Sequence, residues 1–284
     1  MGPTRVQALL PASLRSPYMV ILYGIEVWRA LPWDRRRALA GATVRLAISA
    51  HTVERARVWN PSLEGVDVLP LALEERPAAG DLDRELLARA GEGYLLVVGR
   101  LAASERYKGH DLLLESMPRL LTLRPEARLV VAGEGDDRPR LEAKAAGLGL
   151  AGRVLFTGFV SEATLGELYR RSAAFVMPSR GEGFGLVYLE AMRVAKACVA
   201  ARGSAAEEIV EDGITGLLID PDDPQALVKV LARLLAEPEL SRRLGEAGLR
   251  RFREVFTPAR FRARLWPFLD LLTRFPGKAA DVRH

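Results

Sequence analysis

A chain of 284 residues with an apolar fraction of 49% can fill the cores of two modest α/β domains, which excludes a disordered polypeptide. A lone cysteine, Cys198, excludes an internal disulfide framework and fits a reducing compartment, and the longest apolar run, Tyr18 to Ile25, is far below the roughly 20 residues of a membrane-spanning helix. The formal charge of +5 favours anionic partners such as a nucleotide diphosphate or an acidic membrane face; with scattered arginines and no nucleic-acid motif, no nucleic-acid partner is expected.

In chain order, Tyr18 to Tyr23 is a β-branched and aromatic run that reads as a buried strand ending at Gly24. Asp34 to Ala40 reads as a helix, Val44 to Ile48 as a strand, and Ser49 as the N-cap of a helix through His51 and Arg55. Val66 to Leu69 is a third strand, and Pro77 to Asp81 has the composition of a linker. A longer alternation follows: strands at Tyr94 to Gly99, Arg128 to Ala132, Val154 to Phe156, Ala174 to Met177, Cys198 to Ala200 and Gly216 to Ile219. Helices at His110 to Leu123, Arg138 to Leu148, Glu162 to Ser172 and Leu186 to Val194 lie between the first five of them. Three helices close the chain, at Pro224 to Ala236, Glu239 to Val255 and Pro258 to Thr273. Alternation of this kind predicts an α/β fold of parallel, doubly wound, Rossmann-like sheets, whose ligands bind at the carboxyl ends of the strands.

The Gly-rich turns fall at those ends. Gly99-Arg100 closes one strand, and Tyr107-Lys108-Gly109 opens the next helix, so that a guanidinium and an ammonium converge where a diphosphate can be neutralised without a metal. Glu182 precedes the helix that begins at Leu186, and Glu190 lies about one turn inside it. On one regular helix the pair would be about 12 Å and about 80° apart, too far to share a proton or a metal but suited to the two ends of an elongated ligand such as a sugar nucleotide. Gly133-Glu134-Gly135-Asp136-Asp137 lacks the third glycine of a dinucleotide fingerprint and reads as a strand-to-helix turn with Asp137 as N-cap; Asp220-Pro221-Asp222-Asp223 before Pro224 likewise reads as a cap. His51, His110 and His284 are too few and too scattered for a zinc site, and no metal is expected.

Taken in order, Gly99-Arg100, Tyr107-Lys108-Gly109, Gly133-Glu134-Gly135, Phe156-Thr157-Gly158, the Glu182-x7-Glu190 block and Gly213-x-x-Gly216-Leu217-Leu218 resemble the C-terminal half of the GT-B retaining glycosyltransferases of family 4. The resemblance implies that Arg100 and Lys108 bind the donor diphosphate and stabilise the leaving group. It implies that Glu182, with the amides of Phe184, Gly185 and Leu186, holds the donor sugar, that Glu190 takes the ribose hydroxyls, and that the Val160 backbone meets the base. On this basis Glu182, Arg100 and Lys108 are the candidate catalytic residues, with a nucleotide-diphosphate sugar as co-substrate and no cofactor.

Three departures from the family pattern stand out. Ala195-Lys196-Ala197 replaces the usual Gly and Pro after Glu-Ala-Met, Ser204-Ala205 replaces a Gly-Gly before the matching Glu208, and Tyr23 stands where a histidine often precedes Gly. In addition, Met1 to Ser16 resembles the helix that leads into the later strands of the N-terminal domain. The expected organisation is therefore a partial acceptor-side domain over residues 1–76, a complete donor-binding domain over 77–262, and a helix end and tail over 263–284. The expected function is transfer of a hexose from a nucleotide sugar to a glycan or lipid-linked acceptor in polysaccharide or cell-envelope synthesis; the alternatives are a donor-binding fragment without transfer activity and a sugar-nucleotide epimerase of the same fold. A cytoplasmic protein is expected, with Arg260, Arg262, Arg264, Trp266 and Arg274 available to an anionic inner membrane face and an incomplete sheet edge at Tyr18 to Tyr23 available for self-association.

Overall fold

The computed structural model describes residues 10, 16–75 and 80–273 of the chain. The expected helix ahead of Ser16, the start of the linker at Pro77, and Arg274 lie outside the described residues. The chain forms two compact units, one of residues 1–72 with 258–284, the other of residues 73–257.

The first unit holds a parallel sheet, β1 (Met19–Leu22), β2 (Val44–Ala47) and β3 (Asp67–Val68), with β2 in the middle. Helix α1 (Trp33–Ala40) joins β1 to β2, and α2 (Ala50–Trp59) follows β2, capped by Ser49, whose side chain accepts from the Thr52 amide. One face of the sheet packs Val20, Leu22, Leu39, Ala47 and Val53 together. The other buries Val44, Leu46 and Leu69 beneath Phe261, Leu265, Phe268 and Leu272 of the final helix, α11 in chain order (Pro258–Thr273). Those four side chains recur at intervals of four, three and four residues, which places them on one stripe of the helix. The final helix therefore belongs to the first unit from its start at Pro258. The expected boundary at residue 262 cut through a helix whose apolar stripe finds its cover on β2.

The second unit is built on six parallel strands: β4 (Leu95–Val98), β5 (Leu129–Ala132), β6 (Val154–Gly158), β7 (Ala174–Met177), β8 (Ala197–Ala201) and β9 (Gly216–Ile219), in the order β6-β5-β4-β7-β8-β9. Every residue of β4, β5, β7 and β8 is buried, as continuous apolar runs such as Leu95-Leu96-Val97-Val98 require when helices cover both faces. The covering helices are α3 (Arg84–Ala90), α4 (His110–Leu123), α5 (Arg138–Gly147), α6 (Glu162–Arg171), α7 (Leu186–Met192), the single-turn α8 (Ala206–Ile209), α9 (Pro224–Ala236) and α10 (Pro238–Val255). Asp223 caps α9 as its position predicts, accepting from the Gln225 and Ala226 amides. Cys198 is fully buried in β8, and burial pushes its thiol well above the usual range, so it is a packed small hydrophobe and not a nucleophile. Strand order reverses between β4 and β7: the chain leaves β4 toward β5 and leaves β7 toward β8. This switch point is where a doubly wound sheet leaves a crevice at its carboxyl edge.

Candidate active site

The loops after β4 and β7 meet at the switch point because glycine lets backbones touch there. A Cβ on Gly133, whose φ is +139°, would stand 2.0 Å from the Gly99 carbonyl oxygen, and one on Gly109 would stand 2.6 Å from the Pro178 carbonyl oxygen. The Gly99 amide donates to Ala132 O at 3.0 Å, Leu101 N to Glu134 O at 2.8 Å, and Arg180 N to Tyr107 O at 2.9 Å. Three loops are thereby stitched side by side by main-chain bonds, with no room for a side chain at Gly109 or Gly133.

A 3₁₀ segment, Ala103–Lys108, carries the cationic part of the crevice. Arg100 Nη2 donates to one oxygen of Glu105, and Lys108 Nζ lies 2.7 Å from the other, so a single carboxylate holds both cations. The segment is fastened from the next loop: Asp136 Oδ1 accepts from the Ala103 amide at 2.9 Å, and Arg106 donates to Asp137. Asp137 corrects one expectation. It occupies the N-cap position of α5, yet its side chain makes no capping bond and instead receives Arg106 and Arg140. The guanidinium of Arg140, then that of Arg106, holds its carboxyl well below the usual carboxylate range against the opposing effect of burial. Two fixed guanidinium partners outcompete a neutral amide for a buried carboxylate.

Glu182 sits in the loop after β7, partly buried beside this cluster. Burial raises its pKa above the usual value of 4.5, the Lys108 ammonium opposes that shift, and the Glu105 charge adds to it. Tyr107 stands near both acids: its ring packs where a Cβ on Gly181 would stand 3.1 Å from Cδ2, and burial, then Glu105, then Glu182, push its phenol upward. Gly185 takes the left-handed conformation, φ +100°, to start α7, and Tyr188 Oη fixes that helix by donating to Met177 O at 2.6 Å. Phe184 is buried with its ring edge-on to Phe256 at 6.2 Å, whereas Leu186 keeps 39% of its exposure.

Glu190 has a separate setting. Tyr169 Oη donates to it at 2.9 Å, burial raises its pKa, the Tyr169 bond and Arg193 lower it, and Glu162 at the start of α6 raises it. The charged groups nearest Glu190 thus lie in α6 and just past the end of α7, and those nearest Glu182 in the 3₁₀ segment. Val160 and Arg100 line one largely apolar cavity of about 330 Å³, with Val98, Gly133, Gly158 and the exposed Phe159 among its other walls. The structure accordingly brings Arg100, Lys108 and Glu182 together through Glu105 and Tyr107, joins Arg100 to Val160 through the cavity, and leaves Glu190 on the α6 side. Glu105 was missed in the sequence, although its spacing of three residues before Lys108 is the spacing of an ion pair.

A larger cavity, about 620 Å³, opens at the amino ends of the same strands, lined by Glu92, Gly93, Arg171, Ala173, Lys196 and Arg242 among others. Its arginines are already paired on their own helices: Arg170 and Arg171 share Glu167, and Arg242 bonds to Glu239 and Glu246. Among the described residues no group of three or more His, Cys, Asp or Glu side chains is placed to hold a metal ion, and no helix is long and apolar enough to cross a membrane.

Comparison with known proteins bears on this crevice. Residues 80–251 match the family model of glycosyl transferases group 1. A GDP-mannose-dependent alpha-(1-6)-phosphatidylinositol monomannoside mannosyltransferase of Mycolicibacterium smegmatis is 34% identical over 247 residues, 80% of this chain and 63% of that protein. The lipopolysaccharide core biosynthesis mannosyltransferase LpcC of Rhizobium leguminosarum bv. viciae is 35% identical over 197 residues, 68% of this chain and 54% of that one. The chain therefore spans less than two thirds of the length of either relative. In fold it is similar to the HepE protein of Anabaena in complex with UDP, at a TM-score of 0.80 and 21% identity over 95% of this chain and 76% of that one. It is similar likewise to sucrose-phosphate synthase of Thermosynechococcus elongatus, at a TM-score of 0.79 and 24% identity over 92% and 69%. With three fifths of its length inside the family model and a curated relative aligned over four fifths of it, the chain belongs to the glycosyl transferases group 1 family, in the α/β fold with parallel sheets seen in GT-B glycosyltransferases.

Proposed function

We propose that the chain is a retaining glycosyltransferase that moves a hexose from a nucleotide-diphosphate sugar to a glycan or lipid-linked acceptor. The observation that carries this reading is the convergence of Arg100, Lys108 and the partly buried Glu182 at the strand-order switch, beside an apolar cavity of about 330 Å³ that has Arg100 in its wall. A nucleobase fits the cavity, with the Val160 backbone at its edge. The diphosphate lies on Arg100 and Lys108, Glu182 and the amides of Phe184, Gly185 and Leu186 take the sugar, and Glu190 takes the ribose.

In the transfer step the bond between the anomeric carbon and the terminal phosphate oxygen breaks with its electron pair on that oxygen. The acceptor hydroxyl oxygen forms the new bond on the same face, and its proton passes to the departing phosphate. Arg100 and Lys108 meet the growing negative charge, the role that a metal plays elsewhere, and preorganised cations of this kind contribute most where water is excluded. Similarity to a phosphatidylinositol monomannoside mannosyltransferase and to a lipopolysaccharide core biosynthesis mannosyltransferase supports an acceptor of that class. The exposed Trp266 with Arg260 and Arg262 on α11 would let such an acceptor be met at an anionic membrane surface.

Titration calorimetry with GDP-mannose and with UDP-glucose, beside a transfer assay on the same sample, tests the proposal. Binding of one donor that Lys108→Ala abolishes, together with turnover, is the expected result. Donor binding without turnover would mark the chain as a donor-binding module, and binding unaffected by Lys108→Ala would remove the site assignment.

A further inference from the structure

Glu105 has no place in the transfer step, yet it touches both cations that do. Its side chain keeps 11% of its exposure, against 16% for Lys108 and 77% for Arg100, so the carboxylate is the innermost group of the three. The segment that carries it is held by Asp136 and Asp137 from the loop after β5. Any anion bound to Arg100 and Lys108 together therefore comes within about 5 Å of a fixed negative charge, a distance at which two charges in a partly dry crevice interact appreciably. Glu105 thus cancels one of the two positive charges that the cation pair would otherwise present, before the nearby Glu182 is counted.

The charges of donor and product differ. In a nucleotide-diphosphate sugar both phosphates are esterified at their outer ends and carry one charge each. When the bond to the anomeric carbon breaks, the electron pair stays on the terminal phosphate oxygen. The proton received from the acceptor hydroxyl sits on a phosphate whose second pKa is about 6, so it is lost to solvent near neutral pH. The nucleoside diphosphate then carries close to one additional negative charge, on the very phosphate that faces the cation pair.

We infer that Glu105 is a positioning residue that sets the preference of the donor site: it holds Arg100 and Lys108 in register and repels the nucleoside diphosphate product more strongly than the sugar ester, which favours product release. This inference rests on reading the crevice as the donor site. A neutral replacement removes the repulsion, and the gain falls mainly on the species with the additional charge.

The test is calorimetry at about pH 7.5 on the full chain and on Glu105→Gln and Glu105→Asp, with GDP-mannose against GDP and UDP-glucose against UDP. Glu105→Gln should tighten the free diphosphate about ten-fold and its sugar ester by no more than about three-fold, while Glu105→Asp, which keeps the charge, stays near the wild-type ratio. In turnover, Glu105→Gln should show stronger inhibition by product, with kcat falling more than KM changes. An unchanged ratio of diphosphate to sugar ester, or an equal weakening of both, overturns the inference while leaving the donor site intact. Failure of the wild-type chain to bind either pair sinks the donor-site reading, and this inference with it. Melting of each variant without ligand separates loss of folding from loss of preference, and Glu105→Ala, which also removes the charge, carries the comparison if the amide variant is unstable.

Discussion

The two ends of the six-stranded sheet make opposite uses of the same residue types. At the amino ends a cavity of about 620 Å³ is rich in arginine, but each guanidinium is answered by a glutamate on its own helix, three or four residues away. At the carboxyl ends the cavity is about half as large, and Arg100 and Lys108 share one carboxylate just as Arg170 and Arg171 share Glu167, but here glycines leave the backbone bare and the partly buried Glu182 of another loop is held above its usual pKa by desolvation. Volume alone is thus a poor guide to a site. Pairs within one helix or loop satisfy charge without any help from the fold, whereas a desolvated carboxylate such as Glu182, set beside the charges of another loop, has to be paid for by the rest of the structure.

The sharpest test of this contrast removes one cation from each end. Lys108→Ala is expected to lower kcat/KM about 100- to 1000-fold, as loss of a preorganised donor does, while Arg171→Ala at the amino ends leaves it within about two-fold. Comparable losses from the two variants would erase the distinction. Glycines provide the next largest effect. Gly133→Ala drives a Cβ to 2.0 Å from the Gly99 carbonyl oxygen at a left-handed φ, and about 3 kcal/mol or more of stability should be lost in urea unfolding. Gly93→Ala at the other end, where φ is +74° but no atom lies within 4 Å, should cost only about 1–2 kcal/mol.

His110, at the start of α4, gives a pH test of comparable size. Burial, then the Lys108 charge, lowers its pKa from 6.5 to about 4, so the folded chain keeps it neutral where the unfolded chain takes up a proton. Its contribution to stability is therefore complete above pH 6.5 and is lost as pH falls toward 4, by roughly 3 kcal/mol at the acid limit. The difference in unfolding free energy between wild type and His110→Gln should follow that curve; a flat difference would show that the imidazole is solvated. The smallest effect is at the amino ends, where Ala195 adopts a φ of +56°. Ala195→Gly should raise stability by about 0.5–1 kcal/mol, since relief of left-handed strain is partly offset by glycine's entropy in the unfolded chain.

Legibility in the sequence followed the range of the interaction. Ser49 and Asp223 act as caps because a cap depends on two or three neighbouring residues. Asp137 has the same local pattern, but Arg106, 31 residues away in sequence, claims it together with Arg140, and nothing in the local spacing announces such a partner. Ala195 is the converse case. An alanine holds a left-handed bend there, and Gly245 of α10 packs so close to the Ala195 carbonyl oxygen that a Cβ on that glycine would stand 2.0 Å from it.

Periodicity, apolar runs and the spacing of glycines determined on their own that this chain would fold as parallel α/β units with polar loops at the carboxyl ends of its strands. These signals are local, and burial acts on them one element at a time. Which loops would be neighbours was decided by the order of strands in the sheet, since the switch between β4 and β7 sets Arg100 and Lys108 beside Glu182 and leaves Glu190 among residues of α6 and α7. The pairing of Arg100 with Glu105 and the return of α11 to the first unit also came only with the tertiary structure. Charge partners and apolar covers are chosen by proximity in space, and that proximity exists only once the chain has folded.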